Sequence, residues 1–457
     1  MQRSLLLKKF IQNLQKNWRP SPIGIDGYSY NSYVLYAGVM DMENRIIQFI
    51  GKTTYLAFLL LAALLFIAFA LSSLHHIFLI PPALYFLYLS AKKGELRQQF
   101  CQSRAELFLL LLVITALISI VINIDMIKAP LKNILKLKYF IIPLLAIPAL
   151  KYTFRTYITE RKIKILANTF LISITVATVA GMIGMKTGFN PLKWATVKTA
   201  RNAGMYGMVM SYAYGLSMIL PAMLATIVAL RNKNNRYLTN YVSEKLLWGA
   251  TIVNLLGLYF SYTRGAMLGM IAALPFVFFF ARRKIFWAMM AMAGVVFSVI
   301  IVITFSGTNI NYYRLNAAKS NFLRMSIYKV VVKMAEEKPL LGVGFRNVER
   351  QVKEFRNKYQ MQDSKFVGHA HNNYLEFLGG TGIIGFTFFA LFLFSWMQML
   401  LVSNNIWPAQ ILLPFMISFL TSGLFQSTII DGENTYLVMA LFMLSLMRCS
   451  EKVRRTS

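Results

Sequence analysis

The chain of 457 residues is 57% hydrophobic and only 14% charged, whereas soluble globular domains carry about a quarter charged residues. Its 48 Lys and Arg against 17 Asp and Glu leave a formal net charge of +31, which fits either nucleic-acid binding or a membrane protein with an anionic substrate. The basic residues fall between apolar runs of membrane-spanning length, so the membrane protein is favoured and no nucleic-acid partner is expected. Cys101 and Cys449 lie far apart and predict neither a disulfide framework nor a paired metal motif.

The N-terminal segment, residues 1–52, is polar and basic. It shows no apolar core followed by a small-residue cleavage site, so we expect insertion to begin at the first internal span. We interpret this segment as cytoplasmic, with a candidate amphipathic helix around "YSYNSYVLYAGVM".

Apolar runs of membrane-spanning length follow, and a spanning helix needs about twenty residues. The twelve runs cover residues 53–72, 76–91, 105–123, 138–151, 164–184, 208–230, 246–262, 265–281, 285–305, 373–401, 408–427 and 434–448. At about 1.5 Å per residue the stretch 246–281 is too long for one crossing, and its one charge is Arg264, so we predict a hairpin with Arg264 at the tip. The fold class is an all-α polytopic membrane protein with spans 1–9 in residues 53–305 and spans 10–12 in residues 373–448.

Lys and Arg are concentrated in alternate connections between these spans, which is typical of the cytoplasmic side of a bacterial membrane. With twelve spans, the N-terminal segment, the cluster Arg282-Arg283-Lys284 and the tail 449–457 share that side. We predict a multi-pass protein of the bacterial cell inner membrane with both termini in the cytoplasm. The connection 402–407 is an exception because it carries no positive charge.

The long polar segment 306–372 falls on the periplasmic side although it is strongly basic. Its charge fits either a solvated loop near anionic lipid head groups or a site for a multiply anionic substrate such as a diphosphate. Within it, apolar residues recur at helical spacing from Arg324 onward, and Pro339 ends the pattern before the turn "PLLGVGF". We expect this helix to lie on the membrane surface or to cover the helix bundle.

Two histidines, His369 and His371, lie where the long segment meets the tenth span. They are two residues apart and could bind a metal, but Asp363 and Glu376 do not complete a ligand set. A histidine there is partly dry and can titrate near neutral pH. The stronger interpretation is that His371 acts as a general base, because Asn372 and the glycines after it form a recognisable pattern.

The residues that follow His371 form a recognisable pattern. His371-Asn372, nine further residues and then Gly382-Ile383-Ile384-Gly385 resemble the signature of the lipopolysaccharide O-antigen ligase family, in which a histidine precedes Asn, Ser or Gln, nine residues and Gly-x-x-Gly. "SYTRGAMLG" resembles the family's Ser-x-x-Arg-Gly hairpin. "RMSIYKVVVKMAEEKPLLGVGF" resembles its arginine-containing helix and Pro-x-x-Gly-x-Gly turn. The motifs cover about 260–390, and only the topology extends the resemblance further.

The resemblance implies transfer of a glycan from undecaprenyl diphosphate to a sugar hydroxyl of the lipid A-core at the periplasmic face, with inversion and without a cofactor. His371 would be the catalytic base, and Arg264, Arg324 and Arg201 would bind the diphosphate. Arg264 could instead reach the membrane interface as a snorkelling side chain, and Arg201 could merely start span six. Asn372, Gly382 and Gly385 would support the motif, the glycines by packing span ten against a neighbour.

Several alternatives remain open at this stage. An O-antigen polymerase or a protein O-oligosaccharyltransferase would use the same donor with a different acceptor. A transporter is a different class, but the predicted spans have no Asp or Glu near their centres, where transporters usually carry ionisable groups. The first periplasmic loop, Ser-Ser-Leu-His-His, lacks an acid, so we predict a metal-independent reaction.

Overall fold

The computed structural model describes residues 28–94, 100, 102–305, 311–361, 367–402 and 406–449. The chain divides into two compact units, Met1–Phe49 and Ile50–Ser457. The first unit is described from Tyr28 and is helical there, as expected for "YSYNSYVLYAGVM". The rest of the predicted N-terminal segment and the tail from 450 lie outside the described residues.

The described residues are almost entirely helical. The helices are α1 Tyr28–Leu64, α2 Phe69–Ser72, α3 His75–Lys92, α4 Arg104–Ile122, α5 Pro130–Lys136, α6 Lys138–Thr156, α7 Glu160–Thr187, α8 Val209–Leu230, α9 Glu244–Tyr259, α10 Arg264–Val277, α11 Arg283–Phe305, α12 Asn311–Glu337, α13 Val348–Lys358, α14 Asn373–Val402, α15 Ile406–Ser422 and α16 Gly432–Cys449. The described residues also contain two 3₁₀ turns, Ile124–Met126 and Lys233–Asn240. A short antiparallel ribbon is formed by β1 Phe189–Asn190 and β2 Ala195–Thr196.

Within the described residues, six helical stretches are long and apolar enough to cross a membrane. They are Phe69–Lys92, Arg104–Ile122, Pro130–Thr156, Glu160–Thr187, Val209–Leu230 and Asn373–Val402. The protein is therefore a multi-pass membrane protein. Every predicted run contains helix, but residues 65–68 interrupt the first run and α15 ends before its run does. Several helices are also short. Helix α9 has 16 residues and α10 has 14, which at about 1.5 Å per residue is less than a bilayer core of about 30 Å. The count of twelve spans stays a prediction.

The break predicted near Arg264 is present, while the two membrane crossings on either side of it stay a prediction. Helix α9 ends at Tyr259 and α10 begins at Arg264, so only four residues connect them. Ser261 to Thr263 form the turn, and Tyr262 adopts a positive φ of 49°.

Helix α8 forms the centre of the bundle and packs against α9, α10 and α15. Its sequence is apolar on all sides, and a helix of that kind is stable only where every face is covered. Leu216, Met218 and Leu220 are accordingly fully buried, and so are Tyr212 and Tyr214.

The long segment before α14 contains two helices, α12 and α13. The helix predicted from Arg324 forms the C-terminal half of α12, which ends at Glu337, just before Pro339. The apolar residues that share its helical spacing, Ile327, Val330, Val331 and Met334, are all fully buried against α13 and Ala370. These helices therefore cover the start of α14, where the histidine motif lies.

Candidate functional site

The candidate base, His371, lies two residues before α14 and is half-buried. Its backbone is left-handed, with φ of 49°, a conformation that costs free energy for residues other than glycine and is retained where the surroundings enforce it. The Nδ1 atom of its ring lies 2.8 Å from Oε1 of Gln426, and the ring centre lies 4.2 Å from that of His369.

The partner of Nδ1 determines the tautomer of His371. An amide oxygen can only accept a hydrogen bond, so the imidazole Nδ1 must carry the proton and donate it to Gln426. In the neutral ring, Nε2 then has a free lone pair. Burial lowers the pKa of His371, the nearby Arg324 charge lowers it further, and the bond to Gln426 opposes the shift. His371 is therefore a neutral acceptor at pH 7.

Asn372 positions the histidine by capping α14. Its Oδ1 accepts hydrogen bonds from the backbone N–H groups of Tyr374 and Leu375, at 2.9 and 3.1 Å, which are the second and third residues of the helix. Asn, Ser, Thr and Asp are favoured at this position because their side chains satisfy N–H groups that lack a partner in the first turn. The Asn372 amide also donates to the Leu424 carbonyl at 3.2 Å. The motif residue therefore has a structural role.

The next residue, Asn373, joins the start of α14 to the connection between α15 and α16. Its Nδ2 donates to Thr428 Oγ1 at 2.9 Å, and its Oδ1 accepts from the Ile429 N–H at 3.1 Å. Asn372 N–H donates to Ser427 Oγ at 3.1 Å. The segment 423–431, which carries Gln426, is thus fixed against the histidine motif.

Helix α14 is interrupted at Gly382, whose φ of 65° and ψ of −168° are accessible essentially to glycine alone. The interruption frees backbone groups that a continuous helix would pair internally. The carbonyls of Gly379 and Gly380 accept from the N–H groups of Val343 and Gly344, at 2.9 and 3.0 Å.

The pairing continues on the other side of Gly382. The N–H groups of Ile383 and Ile384 donate to the carbonyls of Pro339 and Leu340, at 2.8 and 3.3 Å. The turn predicted from "PLLGVGF" is therefore joined to α14 by four backbone hydrogen bonds, which we call the glycine clamp. A Cβ at Gly382 would collide with the Leu340 backbone.

The glycine clamp corrects part of the sequence interpretation. Gly382 packs against the backbone of a turn, and a neighbouring span is not its partner. A Cβ on Gly385 would meet Thr381 of its own helix first. Helix α4 completes the arrangement, because Ser119 Oγ donates to the carbonyls of Leu341 and Gly380, at 2.6 and 2.9 Å.

Arg201 and Arg264 meet at the α9–α10 turn. Arg201 Nε donates to the Ser261 carbonyl at 2.7 Å, and its Nη2 donates to Thr263 Oγ1 at 2.9 Å. Burial lowers the pKa of Arg201. Two of its nitrogens are thus occupied by the turn. Arg264 is exposed at the first position of α10, and no described carboxylate forms an ion pair with it.

Arg324 and the α9–α10 turn, which carries Arg264, are linked to the region of His371 by contacts with Tyr214 and Phe425. Arg324, on α12, acts electrostatically on both His371 and the Tyr214 hydroxyl. Gly265 abuts that same hydroxyl, and a Cβ placed on it would lie 2.9 Å from Cβ of Phe425, the neighbour of Gln426. The structure therefore brings Arg264, Arg324 and His371 to one end of the bundle, with Arg201 behind the turn.

Gln426, Tyr214 and Asp431 were missed by the sequence interpretation. The eleventh apolar run was taken to 427, which placed Gln426 inside a span, whereas α15 ends at Ser422. The signal that could have shown this is the polar run "TSGLFQST" between two apolar stretches. Among the described residues, no group of three or more His, Cys, Asp and Glu is arranged to hold a metal ion.

The arrangement places a neutral imidazole acceptor near the Arg324 guanidinium at the end of a membrane-helix bundle. A site of this kind can remove a proton from a hydroxyl while it neutralises a multiply charged anion. The class is therefore a multi-pass membrane protein with a polar site at the helix ends.

The comparison with known families agrees with this class. Residues 249–390 match the family model described as O-Antigen ligase, so this part of the chain is similar to that family, and the resemblance seen in the motifs is confirmed. Members of that family are glycosyltransferase-like ligases and polymerases. No curated protein matches the chain.

Proposed function

We propose that the protein is an O-antigen ligase, which transfers a glycan from undecaprenyl diphosphate to a sugar hydroxyl of the lipid A-core at the periplasmic face of the bacterial inner membrane. One observation supports this function above the others. Arg324 acts on His371, whose Nε2 has a free lone pair, and the turn that carries Arg264 lies at the same end of the bundle. A lipid-linked diphosphate is already an activated donor. The protein therefore has to supply only a base, positive charge and orientation.

In the proposed step, the acceptor hydroxyl oxygen forms a bond to the anomeric carbon while the bond from that carbon to the diphosphate oxygen breaks. The lipid diphosphate leaves with the electron pair, and the acceptor proton passes to Nε2 of His371. A single displacement inverts the anomeric configuration. The imidazolium then loses its proton to water, which restores the base.

The positive charges have distinct tasks in this proposal. Arg264 is exposed and Arg324 lies close to His371, so both can contact the oxygens of the leaving diphosphate. Arg201 holds the turn that presents Arg264 and has part of its guanidinium left for the anion. Guanidinium groups suit this task because they bind phosphate oxygens in a fixed bidentate geometry.

An O-antigen polymerase or a protein O-oligosaccharyltransferase would use the same donor and base. We favour the ligase because the histidine motif matches the ligase signature throughout, from His371-Asn372 to Gly382 and Gly385. The acceptor decides between the three activities.

The experiment is a transfer assay with purified protein in liposomes that contain a glycan on undecaprenyl diphosphate. Three acceptors are offered in parallel: lipid A-core, a second lipid-linked glycan and a hydroxyl-bearing peptide. Mass spectrometry of a glycosylated lipid A-core would support the ligase. Product on the lipid-linked glycan alone would indicate the polymerase instead. Product on the peptide alone would indicate the protein O-oligosaccharyltransferase.

Substituting either Arg324 or Arg264 with glutamine is expected to lower kcat/KM by about 10²-fold, because one preorganised cation on the developing charge is lost. A lysine at the same position should recover only part of the rate, since a point charge lacks the bidentate geometry. Lys353→Gln is the matched control, because Lys353 is an exposed cation on α13 that has no part in the proposed step. Equal losses in the control would show that bulk positive charge is responsible.

Chelation is expected to leave the rate unchanged. The proposed step uses His371 and arginines for the tasks that a divalent metal and a carboxylate perform in other lipid-linked transferases. The measurement is the transfer rate after dialysis against EDTA, with and without added Mg²⁺ or Mn²⁺. Loss of activity with EDTA and its return with either metal would contradict this prediction.

A further inference from the structure

The amide of Gln426 lies between two histidines. Its Oε1 accepts from Nδ1 of His371 at 2.8 Å, and its Nε2 lies 3.3 Å from Nε2 of His369. Gln426 is only 3% exposed, so its polar atoms need partners within the protein. The amide nitrogen can only donate, and it therefore uses the unprotonated Nε2 of His369. Burial lowers the pKa of His369 to about 4, so its ring is neutral, and Nε2 accepts from the amide when the ring proton is on Nδ1.

The buried carboxylate of Asp431 is a second hydrogen-bond partner of the Gln426 side chain. Asp431 accepts from Ser211 Oγ at 3.0 Å and hydrogen-bonds with the Gln426 side chain. A carboxylate accepts from the amide N–H and would repel the amide oxygen. Burial raises the pKa of Asp431 to about 6, while the hydrogen bonds from Ser211 and Gln426 and the Arg346 charge oppose the shift, so the ionised form predominates at pH 7.

The orientation of the amide is fixed by these two partners. If it were turned by 180°, the amide oxygen would face Asp431 and the His369 lone pair, and the amide nitrogen would face His371. His371 would then have to accept at Nδ1, and its proton would move to Nε2. That tautomer cannot take a proton from a substrate at Nε2.

We infer that Gln426, oriented by His369 and Asp431, is a positioning residue that selects the His371 tautomer with Nε2 free to accept a proton. Gln426 does not contact the reacting atoms in this role and acts only through His371. The inference rests on the proposed function for its effect on rate, but the tautomer itself is a property of the protein without substrate.

Other charged groups also act on His371 and must stay in place during any test. Arg324 on α12 and Glu349 on α13 face it with opposite charges, and His369 lies on its own segment. Arg346 acts on His369 and Asp431 and holds the connection by donating to the Ile430 carbonyl. The test variants therefore change Gln426 alone.

The kinetic test compares Gln426→Met and Gln426→Glu with the native enzyme. Methionine keeps the volume but neither accepts nor donates as the amide does, so kcat should fall about 10- to 100-fold with little change in KM. The bond to Gln426 raises the pKa of His371, so its loss should move the acid limb of the pH–rate profile to lower pH. Glutamate keeps an acceptor and adds negative charge, which should move the limb to higher pH.

Gln410→Met is the matched control, because Gln410 is a buried glutamine on α15 with 2% exposure. It should leave both the acid limb and kcat near the native values. A Gln426→Met enzyme with native kcat and an unmoved limb would overturn the inference. The inference would also be overturned if the acid limb of the pH–rate profile moved in the same direction in Gln426→Met and Gln426→Glu.

A second measurement does not depend on transfer activity. Protein labelled with ¹⁵N-histidine has four histidines, and the His371→Gln variant identifies the signal of His371. We expect a protonated Nδ1 and an unprotonated Nε2 in the native protein, and a mixture of tautomers in Gln426→Met. A native His371 that is protonated at Nε2 would overturn the inference even if transfer occurs. The expected tautomer without any transfer would instead count against the proposed function.

Discussion

The His371→Ala enzyme is expected to transfer glycan 10²- to 10⁴-fold more slowly than the native enzyme, which is the range that a general base contributes. That loss corresponds to about 3–5 kcal/mol in activation free energy. The acceptor hydroxyl would have to lose its proton to water, while the arginines would still neutralise the leaving diphosphate. Single-turnover rates with preloaded donor should show the whole effect.

Donor binding separates the loss of the base from damage to the site. The dissociation constant for the lipid-linked donor should stay within a few-fold of native in His371→Ala, because Arg264 and Arg324 are untouched. The free energy of unfolding should fall by about 1–3 kcal/mol at most, because the buried Gln426 oxygen loses its hydrogen-bond partner. More than a tenth of the native rate in this variant would remove His371 as the base.

The Gly382→Ala variant should lose both stability and activity. Its backbone conformation costs a residue with a Cβ about 1–3 kcal/mol, and the added methyl group would also collide with the Leu340 backbone. Relief requires the glycine clamp to open, which separates the turn at 339–344 from α14 and displaces the helix start at Asn372. We expect a clear drop in unfolding temperature and little transfer activity.

Gly249→Ala is the control for this substitution. Gly249 is an exposed residue in α9, and a Cβ there would meet no atom within 4 Å. Alanine should be neutral or stabilising by up to about 1 kcal/mol, because glycine is the weaker helix former. If both variants unfold at the same temperature, the clamp does not contribute in the way described.

Much of the bundle follows from local sequence properties. Apolar runs must form helices in lipid because backbone groups have no other partner there, and each run does contain helix. The hairpin at Arg264 followed from the length of the stretch and one charge. Pro339 likewise ended α12 through its local effect on the backbone.

The features that sequence reasoning missed depend on contacts between distant segments. The interruption of α14 at Gly382 is stabilised by a turn about 40 residues earlier, and the glycines around it were interpreted as small residues that pack helices together. Gln426 lies 55 residues from His371, so only the folded chain reveals their bond. Arg201 was expected to bind the substrate. Its bonds to Ser261 and Thr263 could not be foreseen, because those residues lie about 60 positions away in the sequence.

The most direct measurement of the central claim is complementation of a bacterial strain that lacks its own O-antigen ligase. The strain receives the native gene or the His371→Ala gene, and both lipopolysaccharide and the lipid-linked pool are separated on gels. We predict a capped ladder on the lipid A-core with the native gene, and its loss with lipid-linked polymer accumulating in the variant. The ligase function would be contradicted if the strain that carries the native gene makes a lipid-linked glycan of the right type but never transfers it to the lipid A-core.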